Sequence, residues 1–290
     1  MAATRLAVNK TYKLYVGGSF PRSESGRSYE VTDDKGRFVA NAARGSRKDV
    51  RDAVVAARKA QAGWAGATAY NRGQVLYRVA EIMEGRRAQF AAEVAAAEGI
   101  SDKKAAANVD AAIDRWVWYA GWSDKFQAVA GTTNPVAGPY FDISTPEPTG
   151  VVAAIAPQDS SLLGLIAVLA PIVVSGNTVI LVTSQTRPLP AITLAEALAT
   201  SDVPGGVINI LTGHTDELSP VLAAHLDVNA IDLTGYAGTD TTELTVAAAD
   251  NVKRILPAPA TEPAFLTPPP GPRRILAFCE TKTVWHPKGR

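Results

Sequence analysis

The chain has 290 residues, 47% of them hydrophobic and 20% charged, with 29 Lys and Arg against 28 Asp and Glu and a formal net charge of +1. That is the balance of a globular protein with a packable core, and it supplies no electrostatic field to gather nucleic acid or an anionic membrane surface. The single cysteine, Cys279, excludes an internal disulfide. The start MAATRLAVNK has no apolar core of a secretory leader, so the expected compartment is the cytoplasm.

Tyr12 to Val16 and Tyr29 to Thr32, with Gly17-Gly18 and a polar stretch between them, predict a small antiparallel element. Ser46 and Asp49 have the spacing of a capping box, and the helical period that follows predicts a helix from about Arg47 to Gln61. NRGQVLYRVAEIMEGRRAQFAAEVAAAE and ANVDAAIDRWVWYAGWSDKFQ carry apolar residues at i, i+3, i+4 and i+7, so the first third is mainly helical. It holds four of the five tryptophans. Trp116 and Trp118 fall on different helix faces, so one of them faces away from the inner stripe.

After Gly150, short Val- and Ile-rich runs alternate with helical segments: VVAAIA at 151–156, NTVILV at 177–182, VINILTG at 207–213 and NAIDLTG at 229–235. Near-continuous apolar strands joined by helical crossovers predict a parallel sheet covered on both faces, an α/β, Rossmann-like doubly wound domain. Such sheets bind ligands at the carboxyl ends of their strands. The longest apolar run, Leu162 to Val174, contains Pro171 and is shorter than the roughly 20 residues a membrane crossing requires, so it is expected to be a core helix. Seven prolines between Pro257 and Pro272 then rule out a helix interior or a central strand, and the stretch is expected to be a semi-rigid polyproline-like spacer. TKTVW at 281–285 reads as a last strand with no crossover helix of its own, which must pair with an edge of this chain or a neighbour.

Neither a G-x-G-x-x-G nor a Walker pattern occurs. DLTGYAGTDT places Gly235 and Gly238 before a helix, with Thr239 or Asp240 as its cap, an arrangement of simple turn chemistry that could also hold an anion. His214, His225 and His286 have no ligand spacing with one another or with Cys279, so no metal site is expected. No Gly-x-Ser-x-Gly elbow is present. Cys279 lies in a short tail without an evident base and reads as a packing residue.

Seven ordered segments resemble the aldehyde dehydrogenase superfamily: LYVGGSF (14–20), NRGQVLYRVAEIME, WYAGWSDKFQ (118–127), PTGVVAAIAP (148–157), LAPIVVSGNTVIL (169–181), DVPGGVINILTG (202–213) and AADNVKR (248–254). TKTVWHP is similar to the family's terminal oligomerisation strand. The resemblance divides the chain into an N-terminal β element and helices (1–139), an oligomerisation strand (140–147), the cofactor-type α/β domain (148–256), the proline-rich linker (257–273) and a C-terminal oligomerisation strand (274–290). It implies interface positions at Tyr140, Phe141, Ile143, Thr281, Thr283 and Trp285, and cofactor-type positions at Pro157, Ser184, Gly213 and Gly235.

The departures bear on function. The family's oxyanion-stabilising Pro-Trp-Asn turn aligns with Pro157, Gln158 and Asp159, and an anionic Asp159 would oppose a developing negative charge. The ribose-binding lysine and glutamate fall on Val182 and Gln185, the phosphate-turn serine on Tyr236 and the general-base glutamate on Ala258. The segment that carries the family's catalytic cysteine has no counterpart. The resemblance therefore implies a truncated member without catalytic residues, which assembles with a full-length aldehyde dehydrogenase-type subunit as a hetero-oligomer and keeps no cofactor, or holds NAD or NADP weakly. Two alternatives follow it: an NAD(P)-binding module or sensor, and then an active oxidoreductase using an unfamiliar site such as Cys279.

Overall fold

The computed structural model describes residues 10–238, 240–260, 264–267 and 271–289. Its centre is a five-stranded, wholly parallel sheet in the order β10-β9-β6-β7-β8, formed by β6 (Val151–Ile155), β7 (Thr178–Val182), β8 (Ile208–Leu211), β9 (Ala230–Asp232) and β10 (Arg254–Leu256). The period-two rule explains why these strands read as continuously apolar. Val152, Ala154, Val179 and Leu181 enter one core, while Val151, Ala153, Ile155, Ile180 and Val182 enter the other. The fifth strand, β10, is three residues long and escapes any periodicity test.

Helices cover both faces. α1 (Arg47–Gly66), α8 (Thr215–Ala224) and α9 (Thr242–Ala249) supply Val50, Val54, Leu218, Leu222 and Leu244 to one core. The other takes Leu76, Phe90 and Trp116 from α2 (Ala69–Gly85), α3 (Arg87–Glu98) and α4 (Asp102–Trp122), with α6 (Leu163–Val174) and α7 (Leu189–Ala199). All twelve residues of α6 are buried, Pro171 included, which makes it a core helix. The capping box at α1 is complete: Ser46 N donates to Asp49 Oδ2 at 2.8 Å, and Asp49 N donates to Ser46 Oγ at 3.3 Å. The long helical pattern at 71–98 breaks at Arg86, whose backbone (φ −110°, ψ 13°) separates α2 from α3. Trp116 is buried and Trp118 is exposed, as their separation on α4 requires.

The N-terminal element differs from the antiparallel pair expected of Tyr12–Val16 and Tyr29–Thr32. β2 (Ser28–Thr32) pairs antiparallel with β3 (Phe38–Ala43), and β1 (Thr11–Tyr12) lies parallel to β3 on its other side. Tyr15 leaves this sheet and bridges Ile210 on β8, where Asn209 Oδ1 accepts Gly17 N at 2.9 Å. YKLYV thus serves two sheets.

The last strand, β11 (Cys279–Pro287), finds its edge within the chain. It runs antiparallel to β5 (Tyr140–Pro148) over nine residues, from Cys279 opposite Pro148 to Pro287 opposite Tyr140, and β4 (Thr132–Asn134) completes a three-stranded sheet. α5 (Phe126–Ala130) leads into it. The Ser144 and Thr283 hydroxyls meet at 2.7 Å across the β5–β11 pair, and Asn134 Nδ2 donates to Asp142 and Ser144.

The described part of the proline-rich stretch, expected to be a semi-rigid spacer, is held against the helical layer. Residues 261–263 and 268–270 lie outside the described part, but Arg115 Nη2 on α4 donates to the carbonyls of Phe265 (2.6 Å) and Thr267 (3.2 Å), and Phe265 packs against the core. The short α10 (Arg273–Leu276) follows and buries Ile275, with Phe278 just beyond it.

Candidate functional site

Four loops converge at the carboxyl ends of the central strands, on either side of the point where the strand order reverses between β6 and β9. They carry the four sequence-expected cofactor positions, each on a neighbouring strand: Gly235 after β9, Pro157 after β6, Ser184 after β7 and Gly213 after β8.

Gly235 and Pro157 are brought into direct contact. Gly235 N donates to Ile155 O at 3.0 Å, and a Cβ at position 235 would stand 2.0 Å from Ala156 O and 2.4 Å from Pro157 N. Only glycine lets the β9 turn lie this close to the β6 loop. Gly213 (φ +150°) instead faces Gly45 at the entrance to α1. Thr239, one of the two expected caps of α9, lies outside the described residues; Asp240 Oδ1 accepts Thr242 N at 2.8 Å.

Ser184 is engaged within the protein. Its hydroxyl donates to Gln158 O at 2.8 Å and accepts Arg187 N at 3.2 Å, while Gln158 Oε1 accepts Gln185 N at 2.9 Å. Gln158 Nε2 donates to Ala156 O, and the Arg187 guanidinium donates to Asp159 O with the Asp159 carboxylate 3.7 Å away. The β6 and β7 loops are therefore stitched together by their own polar groups. Sequence reasoning located Gln158, Asp159 and Gln185 by register but missed Arg187, whose only signal was a cation beside a strand-end serine.

Beside this stitch, a cleft of about 540 Å³ opens between the β2 strand, the β7 loop and the entrance to α8, with Tyr29, Glu30, Gln185, Arg187 and His214 in its wall. Its size is that of a small-molecule pocket. Burial pushes the Tyr29 phenol far above its ordinary value, and its ring meets His214 edge-on at 5.6 Å. Tyr236, where the phosphate-turn serine was expected, folds over its own turn: a Cβ on Gly238 would stand 2.4 Å from the Tyr236 ring. Ala258, at the general-base register, packs half-buried against the second core.

Cys279 is far from these loops. It pairs with Pro148, at the amino end of β6, and its thiol donates to Ile275 O at 3.4 Å. Burial pushes the thiol up to about 12, so it stays protonated at neutral pH and is a poor nucleophile. No cluster of three or more metal-capable side chains occurs among the described residues. None of their helices is long and apolar enough to cross a membrane.

The fold and its crevice are those of a dinucleotide-type α/β domain, and comparison with known proteins defines the family. The aldehyde dehydrogenase family matches residues 20–258, and the chain belongs to that family. It is 30% identical over 247 residues to the mitochondrial benzaldehyde dehydrogenase of Antirrhinum majus, an alignment that covers 84% of this chain and 46% of that protein. Among solved structures, HpcC from Thermus thermophilus superposes with a TM-score of 0.78 at 30% identity, covering 85% of this chain and 47% of that one. The NAD+ complex of an aldehyde dehydrogenase from Bacillus cereus superposes with a TM-score of 0.78 at 24% identity, covering 85% and 50%. The chain spans about half the length of these relatives.

Proposed function

We propose that this chain is a non-catalytic, aldehyde dehydrogenase-like subunit that assembles with a complete dehydrogenase-type subunit in a structural or regulatory role. The observation that carries the reading is the β5–β11 ribbon. Its nine-residue pairing leaves β11 at a sheet edge, with Trp285 (56% exposed) on β11 and Tyr140 on β5 exposed on one face of the ribbon, and Phe141 (52%) and Ile143 of β5 exposed on the other. A long edge strand with exposed aromatics is a template for another chain.

The chemistry at the expected catalytic positions supports the same reading. Asp159 stands at the oxyanion register, Ala258 at the base register, and the one thiol is buried at the opposite end of the sheet. Thr281 and Thr283, also exposed, complete the implied interface on β11. The reading places the protein in the cytoplasm, as its one unpaired cysteine suits. Native mass spectrometry of the tagged chain coexpressed with a full-length dehydrogenase of the same cell tests it: a complex of fixed stoichiometry supports it, and a lone monomer sinks it.

The cleft beside Gln185 and Arg187 favours a second reading, a weak NAD(P)-binding module. Calorimetric titration with NAD and NADP discriminates, because micromolar binding requires the Ser184–Gln158 stitch to open or the cleft to accept the adenosine end.

A further inference from the structure

A second concave surface lies between α1 and α8, and none of its lining residues belongs to the crevice or to β11. It encloses about 880 Å³ between Arg47, Lys48 and Arg51 on α1 and Val221, His225 and Leu226 on and after α8. Every charged side chain in its wall is cationic or, in the case of His225, a base. Leu226 is 71% exposed on the apolar side.

Cations in the first turns of a helix face the positive end of its dipole and are disfavoured there. The one acid in that turn, Asp49, does not relieve them from the groove side. Its carboxylate points inward and accepts Ser23 Oγ at 2.7 Å, Glu24 N at 3.1 Å and Ser46 N at 2.8 Å. Lys48 and Arg51 hold only exposed pairs, with Glu24 at 3.1 Å and Asp52 at 2.8 Å, which are worth little and exchange readily. Arg47 has no carboxylate partner among the described residues.

We propose that this groove docks an acidic amphipathic helix of a partner protein. Such a helix sets apolar residues on Val221 and Leu226 and its carboxylates against Arg47 and Arg51, the helix-in-groove mode with complementary charge. The groove's concavity favours a helix over a bilayer surface, which cannot follow it. The site is independent of the β11 assembly surface, so either can fail alone.

The test is fluorescence anisotropy of the full chain with a labelled helical peptide of about 15 residues that carries Leu at i, i+3, i+4 and i+7 and Glu on both flanks. Saturable binding that weakens with salt is expected, with a loss of about tenfold or more in the Arg47→Glu/Arg51→Glu variant. Leu226→Ser, at an exposed site that cannot endanger folding, is expected to lose about tenfold by itself. No binding, equal binding of a scrambled peptide of the same composition, or binding only to phosphatidylserine vesicles overturns the proposal.

Discussion

Arg274 Nη2 lies 2.6 Å from Asp232 Oδ2, which ties the segment beyond the proline-rich stretch to the carboxyl end of the central strand β9. Asp232 is fully buried, and its other oxygen accepts both the amide and the hydroxyl of Thr234. Burial pushes this carboxyl up, while Arg274 and Thr234 pull it back. Breaking such a pair leaves an uncompensated buried charge.

Arg274→Met is therefore expected to cost about 3 kcal/mol at neutral pH. The sign of its pH dependence follows from the raised carboxyl. Without its guanidinium, the folded state binds a proton that the unfolded chain has already released, so the variant's stability falls as pH rises above the ordinary carboxylate range and recovers on acidification. Urea denaturation of both proteins across mildly acidic to neutral pH checks this; a deficit that does not shrink in acid refutes it. Asp232→Asn combined with Arg274→Met should recover most of the loss.

Cys279 gives the second pH signature. Its thiol is pushed up to about 12 by burial, whereas the ordinary value is 9.0. Above the ordinary value, the unfolded thiol releases a proton that the folded one retains, so stability falls with rising pH by up to about 1.4 kcal/mol per pH unit. Cys279→Ala should remove that slope. In the native chain, thiol reagents are expected to react only at the rate of unfolding, and rapid labelling at neutral pH would return an activated-cysteine chemistry to consideration.

How much of this was legible in the sequence depends on the range of each interaction. The capping box at Ser46 and Asp49 is local, and it formed as its spacing required. The parallel sheet was legible because both faces of β6 and β7 are apolar. FVANAA, which forms β3, was not, since alanine and asparagine carry weak strand preference and its order follows from pairing with β1 and β2. At the crevice, the residue types at 157, 184, 213 and 235 were readable. That the Ser184 hydroxyl is consumed by Gln158 and Arg187 depends on two loops meeting, which no single stretch encodes.

Val252 is the only non-glycine residue with positive φ among the described residues, at +55°, and it is 92% exposed. The position is held by its neighbour: Lys253 Nζ is buried and donates to His225 O, Val228 O and Asn251 Oδ1. A β-branched side chain in this conformation is strained and buries nothing in return. Val252→Asn is expected to raise stability by about 1 kcal/mol, measured by thermal denaturation. A loss of stability would mean that the valine makes contacts in an assembly.

Trp285 separates the two proposed surfaces. Its ring meets Tyr140 edge-on at 5.7 Å and its cross-strand partner on β5 is Asp142, so Trp285→Asp loses one aromatic pair and sets two carboxylates opposite each other, a cost of about 2 kcal/mol that the rest of the nine-residue ladder is expected to withstand. In the assembly reading, it also places a charge on the partner-facing strand, and copurification with the full-length dehydrogenase is expected to disappear. Leu226→Ser lies on the other surface and should leave that complex untouched. If Trp285→Asp remains folded and the complex survives, β11 is not the strand that recruits the partner, because a buried carboxylate at such a site could not be accommodated without a counter-charge.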